Sequence, residues 1–452
     1  MKYLVVAVAS FLLAACGGEA DTASSPEENT SPPAIEVEAD NASKTLDASV
    51  ALDEMAEAFV KLSLAIGVLD PAFVDAYHGP KEWADAAAGQ EQSFEALAAD
   101  AQALLIKVAR ANADAPSLRG AMLEKLVRAS VARINIAQEQ FYPFDEETRL
   151  LYDAVAPQYD VDEFYAALGE IDTLLPGEGP LYERVDAFRN SLAIAEDKLL
   201  PVFNAAIAEC RKRTLAHYKL PDNERFRLEF VTDKPWSGYN WYQGDYESLI
   251  QVNTDFPIII DRAVDLGCHE GYPGHHTWNV MIERDFLNGN GWIEYSVYPL
   301  FSPLSVTAEG SANYGIELAF PGDEKITFER DVLFPLAGLN PEDADRLDSL
   351  NKLRRKLSHS RNHIARAYLD GDITREEAIQ MSMEFGLQSR KRAEQSVRFI
   401  ETYRGYVINY NLGRDLVENY VNRKAVGRVD TWLAFRTLLT TPLAASDIEA
   451  AQ

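Results

Sequence analysis

Apolar positions Leu52, Met55, Phe59, Leu62, Ile66 and Leu69 recur at alternating steps of three and four, which predicts an amphipathic helix ending near Gly67. Similar stripes predict helices over about 93–110, 117–140, 146–155, 161–174 and 180–218, divided by Pro143, Pro157 and the run Pro176-Gly177-Glu178-Gly179-Pro180. The period then changes. Phe226, Leu228 and Phe230 alternate with Arg225, Arg227 and Glu229, the pattern of a half-buried strand. Residues 234–244 read as a turn-rich aromatic loop, and 249–253 as a short second strand. The apolar run from Phe256 to Leu266 predicts a helix capped by Thr254 or Asp255, with Pro257 in its first turn. A helix built largely of small residues is expected from Leu304 to Phe320. The fold class is thus mainly α, with a small β-sheet or hairpin ahead of the buried helix that begins at Phe256, whose C-terminal end carries His269 and Glu270. A helical half over 47–222 and a second half over 223–446 are expected to pack as one unit.

The ends change this picture. Met1-Lys2, an apolar run to Leu13 and Ala14-Ala15-Cys16-Gly17 resemble a bacterial lipoprotein signal over 1–15, with Cys16 as the lipidated residue. That resemblance implies anchoring in a lipid bilayer, at the outer membrane facing the periplasm, with Gly17 rather than aspartate after the cysteine. Residues 16–46 offer almost nothing to bury and are expected to form an acidic, disordered tether. Forty-three basic against seventy-one acidic residues give a net charge of −28, which argues against nucleic acid as a partner. Beyond Cys16 the cysteines are Cys210 and Cys268, which could pair as a disulfide in an oxidising periplasm, though free thiols are favoured because Cys268 sits on a buried helix.

Three of the seven histidines fall within Cys268-His269-Glu270-Gly271-Tyr272-Pro273-Gly274-His275-His276. In a zinc-protease helix two histidines stand four apart, with a glutamate base beside the first. His275 lies six residues after His269, roughly 9 Å along an unbroken helix. Pro273 and Gly274 are expected to bulge the extra residues out and swing His275 back towards His269. His269 and His275 are therefore the candidate metal ligands and Glu270 the candidate base, with His276 able to serve beside or in place of His275. Glu309, a charged group in a helix of small and apolar residues, must be paired or metal-bound, and Glu317 is its competitor. The stretch Ser248 to Asn253 is a candidate edge for an extended substrate, with Tyr239, Trp241 and Asn253 as contact residues. His78, alone beside a turn, reads as structural.

The motif His269 to His276, followed by Glu309-Gly310-Ser311-Ala312-Asn313-Tyr314, resembles the bacterial family catalogued as domain of unknown function 885. The likeness extends over roughly 223–446 through Ile373 to Ile379, Arg398-Phe399, Tyr410 to Gly413 and Leu438 to Leu443. It departs at Ser311, where the family carries tryptophan, and at His363, which lies earlier than the family's histidine. The resemblance implies a large helical metallopeptidase-like fold, and a zinc hydrolase cleaving a peptide or small amide by metal-activated water. It ranks Tyr410 above Tyr403 and Arg398 as the donor to the oxyanion. Two other readings use the same ligands: a 2-His-1-carboxylate iron enzyme, and a non-enzymatic envelope lipoprotein whose metal is structural.

Overall fold

The computed structural model describes residues 36–234, 236–425 and 427–450. The predicted signal peptide, Cys16 and most of the tether lie outside the described residues. No helix among those described is long and apolar enough to cross a membrane. The chain from Asp47 on forms one compact unit.

Helix α1 (Glu36–Leu69) is followed by strand β1 (Val74–Tyr77) and then α2 (Lys81–Ala88), α3 (Phe94–Asp114), α4 (Leu118–Ala137), α5 (Phe144–Tyr152) and α6 (Val161–Leu174). Ser93 and Ser117 cap α3 and α4 by accepting from Ala96 and Gly120 amides, which fixes where those apolar stripes begin. The stretch expected as one helix over 180–218 is two, α7 (Leu181–Asn190) and α8 (Glu196–Leu215). Between them Leu192 to Ile194 leave the helix and pair with 258–260, Ile194 N–H donating to Ile258 O at 2.8 Å and Ile260 N–H to Leu192 O at 3.1 Å.

That pairing also explains why the next helix starts late. Ile258 to Ile260 run beside 192–194, so α9 spans only Asp261–Leu266 and Asp255 caps no helix. Asp255 instead accepts from the amides of Asp233 and Lys234, closing a turn. A three-stranded sheet precedes it: β2 (Arg225–Val231), β3 (Gly238–Gly244) and β4 (Glu247–Asn253), in the order β2-β4-β3. β4 runs parallel to β2 and antiparallel to β3. Two expectations fail here. The aromatic stretch expected as a loop supplies β3, and Ser248 to Asn253 lie in the central strand, whose backbone groups are already paired on both sides. Asn253 is occupied too, its side-chain amide donating to the carbonyls of Lys234 and Trp236.

After β4 come α9, a π-helical turn Gly267–Gly271, α10 (His275–Met281), β5 (Val297–Pro299, antiparallel to β1) and α11 (Pro303–Ala319). The remaining helices are α12 (Glu324–Phe328), α13 (Phe334–Ala337), α14 (Ala344–Lys356), α15 (Ser360–Leu369), α16 (Arg375–Phe385), α17 (Arg390–Tyr403), α18 (Ile408–Lys424), α19 (Arg428–Leu439) and α20 (Ala445–Ala450). The mainly helical class expected from the sequence is the class observed. α11 and α18 cross backbone to backbone at Gly310 and Gly413: a Cβ on Gly310 would sit 2.4 Å from the Gly413 carbonyl oxygen. This close approach brings Glu309 and the start of α18 to one site.

Cys210 of α8 and Cys268 of the π turn are disulfide-bonded, with Cα atoms 5.6 Å apart. The expectation of free thiols is corrected. Gly267 lets the turn lie against Ala206 and Ile207 of α8, and this close packing brings the two sulfurs together.

Candidate metal centre

α9 passes into a π turn at Gly267–Gly271, the Tyr272–Pro273 peptide is cis, and α10 begins anew at His275. The expected inserted bulge is thus a complete break between two helices. A Cβ on Gly274 would stand 1.9 Å from the His269 carbonyl oxygen, so glycine alone lets the chain fold back against the preceding turn. The Gly274 amide donates to Cys268 O at 3.0 Å and holds that fold. The result brings the His269 and His275 rings to 4.7 Å between centroids, at 90°. His269, Glu270 and His275 each offer a ligand atom within 4.8 Å of the others.

Glu309 of α11 meets this pair. One of its oxygens lies 3.4 Å from His269 Nε2 and 3.7 Å from His275 Nε2. That oxygen, Oε2, is buried and has no hydrogen-bond partner, whereas Oε1 accepts from the Tyr406 hydroxyl at 2.9 Å. A tetrahedral ion held at about 2.0–2.1 Å places its ligand atoms roughly 3.4 Å apart, so the spacing of Glu309 from each imidazole suits zinc. His269 is oriented from behind. Asn313 donates its amide to Tyr410 O at 2.9 Å, so its oxygen faces His269 Nδ1, 3.1 Å away, and accepts from it. The Nε2 lone pair is then free towards Glu309.

Electrostatics agree with a cation site. Burial alone would raise the Glu309 pKa, but His269 and His275 hold the carboxyl well below its usual range. Burial works against a charged His275, yet Glu309 overrides it and, with Glu270 and Asp75, pushes the imidazole up to about 9.

The remaining expected residues divide. Glu270 is buried beside the candidate ligands; its backbone carbonyl accepts from Asn240, and Gly238 of β3 leaves room for its carboxylate, since a Cβ there would lie 3.0 Å from Oε1. Tyr410 packs its ring 5.7 Å from Tyr406, and burial followed by the Glu309 charge pushes its pKa well above 10. His276 points elsewhere: its ring nitrogens face Ser248 Oγ at 2.8 Å and Glu224 Oε2 at 3.0 Å. Glu317 is paired with Arg355 and Arg414, away from the histidines. Tyr239 packs at a tilt against Trp236 and Trp241, its ring 4.5 Å from that of Trp241, which remains exposed and bonds Gln251. His78 meets Tyr242 edge-on, 5.4 Å between centroids.

Three neighbours were not foreseen: Tyr406, Asn313 and Asp75. Asp75, on β1, accepts from the Tyr239 hydroxyl. Burial raises its pKa to about 7, with Glu309 and Glu270 adding and His275 opposing. A signal existed for two of them. Tyr406 is one turn before Tyr410, and Asp75 is the lone acid in Phe73-Val74-Asp75-Ala76-Tyr77.

No family model matches the chain, so the likeness to the domain of unknown function rests on the motif residues alone. No curated protein matches it either. Among solved structures it is similar to a candidate lipoprotein from Colwellia psychrerythraea, 17% identical with a TM-score of 0.50, over 77% of this chain and 62% of that one. It thus spans less than two thirds of that relative, and the likeness speaks for the fold alone. Lower scores relate it to a candidate lipoprotein of unknown function from Shewanella oneidensis, 15% identical, TM-score 0.45, over 81% of this chain and 75% of that one. The M32 carboxypeptidase from Deinococcus radiodurans R1 is 12% identical, TM-score 0.44, over 88% of this chain and 90% of that one.

Proposed function

We propose that the protein is a zinc-dependent hydrolase of amide bonds in short peptides, held at the bacterial envelope by a lipid on Cys16. The observation that carries this reading is the buried, unpartnered Glu309 Oε2, lying 3.4 and 3.7 Å from the Nε2 atoms of His269 and His275. A buried carboxylate oxygen left without a donor is costly unless a cation completes it. His269, His275 and Glu309 would hold zinc, which supplies Lewis acidity and makes water easier to deprotonate.

The chain's own groups do the rest. Glu270 takes the proton from the attacking water and returns it to the leaving amine. Its carboxylate is kept in place by the π turn beneath it and by Asn240 on its backbone carbonyl. Tyr410, whose raised pKa keeps the hydroxyl protonated, donates to the oxyanion that forms on the carbonyl. Tyr406 is taken up by Glu309 and orients that carboxylate rather than the substrate. Zinc quantification together with a peptide-library digest of wild type and Glu270→Gln tests the reading. Cleavage that disappears in the variant, with zinc retained, supports it; bound iron with oxygen uptake, or a metal unaffected by a library that stays intact, overturns it.

A further inference from the structure

Most guanidiniums packed into the second half of the chain have acceptors. Arg366 reaches Asp145 and the carbonyls of Ala156 and Pro157, Arg404 reaches Glu147, and Arg414 reaches Glu317 and Glu418. Among the described residues Arg354, Arg361 and Arg392 are half-buried guanidiniums without an acceptor, and of these Arg361, in the first turn of α15, is the one whose charge acts on Tyr410. It is half-buried, and among the described residues it has neither a carboxylate nor a hydrogen-bond acceptor. Its contact is the face of Phe399, 5.3 Å from the ring centroid. Burial works against its charge, and no nearby acid compensates.

Its place relative to the metal centre follows from a chain of rings. Phe399 lies 6.4 Å from Tyr410, Tyr410 lies 5.7 Å from Tyr406, and the Tyr406 hydroxyl bonds Glu309. Arg361 and Glu309 act on the same Tyr410 hydroxyl with opposite sign. The guanidinium therefore stands on the aromatic wall beside the group assigned to the oxyanion, on the side of α17 and α18. The acids Asp75, Glu270 and Glu309 cluster around His275 instead.

A partly buried guanidinium with five unmet donors is matched by a planar anion with two oxygens, taken bidentately. Every linear peptide carries one such group in the same chemical form whatever its sequence. We propose that Arg361 receives the C-terminal carboxylate of the substrate, so that the enzyme cuts close to the free C-terminus of short peptides. The inference rests on the hydrolase reading and adds the end of the peptide that is recognised. The anchor also suits a protein of net charge −28, since a local cation is needed to admit an anion at all.

The test is made on the zinc-loaded full chain carrying Glu270→Gln, so that ligands are bound and not consumed. Calorimetry compares an N-blocked tripeptide as the free acid, as its C-terminal amide, and as an amide whose last residue is glutamate. The expected result is binding of the free acid about 10- to 100-fold tighter than either amide. Adding Arg361→Gln should abolish that preference, and Arg361→Lys should restore part of it. Equal binding of acid and amide with Arg361 in place overturns the inference without need of any variant at that position. So does a preference that survives Arg361→Gln, or a glutamate amide bound as tightly as the free acid. Acid-selective binding by a wild type that cleaves nothing would sink the hydrolase reading while leaving the anchor standing.

Discussion

Two buried glutamates in this protein each face a histidine Nε2 and a tyrosine hydroxyl, yet only one is complete. Glu224 accepts from Arg211, from the Tyr272 hydroxyl at 2.6 Å and faces His276 Nε2 at 3.0 Å. Glu309 accepts from Tyr406 and leaves its second oxygen unbonded between two imidazoles standing 3.4 and 3.7 Å away. The first distances are those of hydrogen bonds; the second are those between ligands that share an ion. Adjacent residues of α10 serve the two centres, His275 the open one and His276 the closed one. What separates a candidate ligand from a core histidine here is therefore the unmet valence opposite it.

The largest expected effect comes from removing that valence. Glu309→Gln should reduce zinc content from about one per chain to near zero, with hydrolysis falling to background, whereas Glu224→Gln should leave zinc and turnover intact. Metal analysis of the two purified variants side by side breaks the comparison if both keep zinc or both lose it. Next, Glu270→Gln should slow turnover about 10²- to 10⁴-fold with zinc retained, the usual worth of a positioned base. Third, Glu224→Gln should cost about 2–3 kcal/mol of stability, because the buried Tyr272 hydroxyl and His276 lose a charged acceptor. A denaturant midpoint equal to wild type would mean that the closed centre holds nothing together.

The open centre was the more legible of the two in the sequence, for a local reason. His269, Pro273, Gly274 and His275 carry their geometry in their own backbone chemistry, and an acid at Glu309 among small residues announces that something must neutralise it. The closed centre was not legible, since Glu224 follows a turn and reaches His276 only after β2 pairs with β4. The same limit explains the sheet. Alternation at 225–230 gave a strand, but β3 was hidden by its glycines and aromatic turn residues, and no residue of β4 states that it lies between two neighbours. The apolar run Ile258 to Ile260 fits a strand or a helix equally until its partner at 192–194 is known.

The disulfide ties both centres to α8, and its loss should act on stability alone. With Cys210 and Cys268 separated by 58 positions in the sequence, the paired change to serine should cost about 2–4 kcal/mol. Zinc content and turnover of the folded fraction should stay at wild-type level, since Asn313 still holds the His269 ring and the Gly274 amide still bonds the backbone carbonyl of residue 268. Thermal melts alongside zinc assays check this, and loss of zinc at temperatures where the variant remains folded would show that the bridge itself positions the ligand.

The smallest expected effect distinguishes the two histidines by sign. His276 is buried and its pKa is lowered despite Glu224, so below the unfolded value of 6.5 the unfolded chain binds the extra proton and stability falls on acidification. His275 in chelator-treated protein is the reverse: its folded pKa of about 9 exceeds the unfolded 6.5, so its contribution is fully present below 6.5 and is lost as pH rises through 9. Discounted for the solvent that reaches the ring, this amounts to about 2 kcal/mol. Denaturant midpoints of the chelated protein from pH 5 to 10 should thus decline on both sides of a maximum near neutrality. His275→Ala should remove only the alkaline decline, and zinc should remove it as well, because the ion takes the place of the proton that Glu309 holds there. A chelated wild type whose midpoint is flat from pH 6.5 to 9 would separate Glu309 from His275 in solution, and with them the open centre.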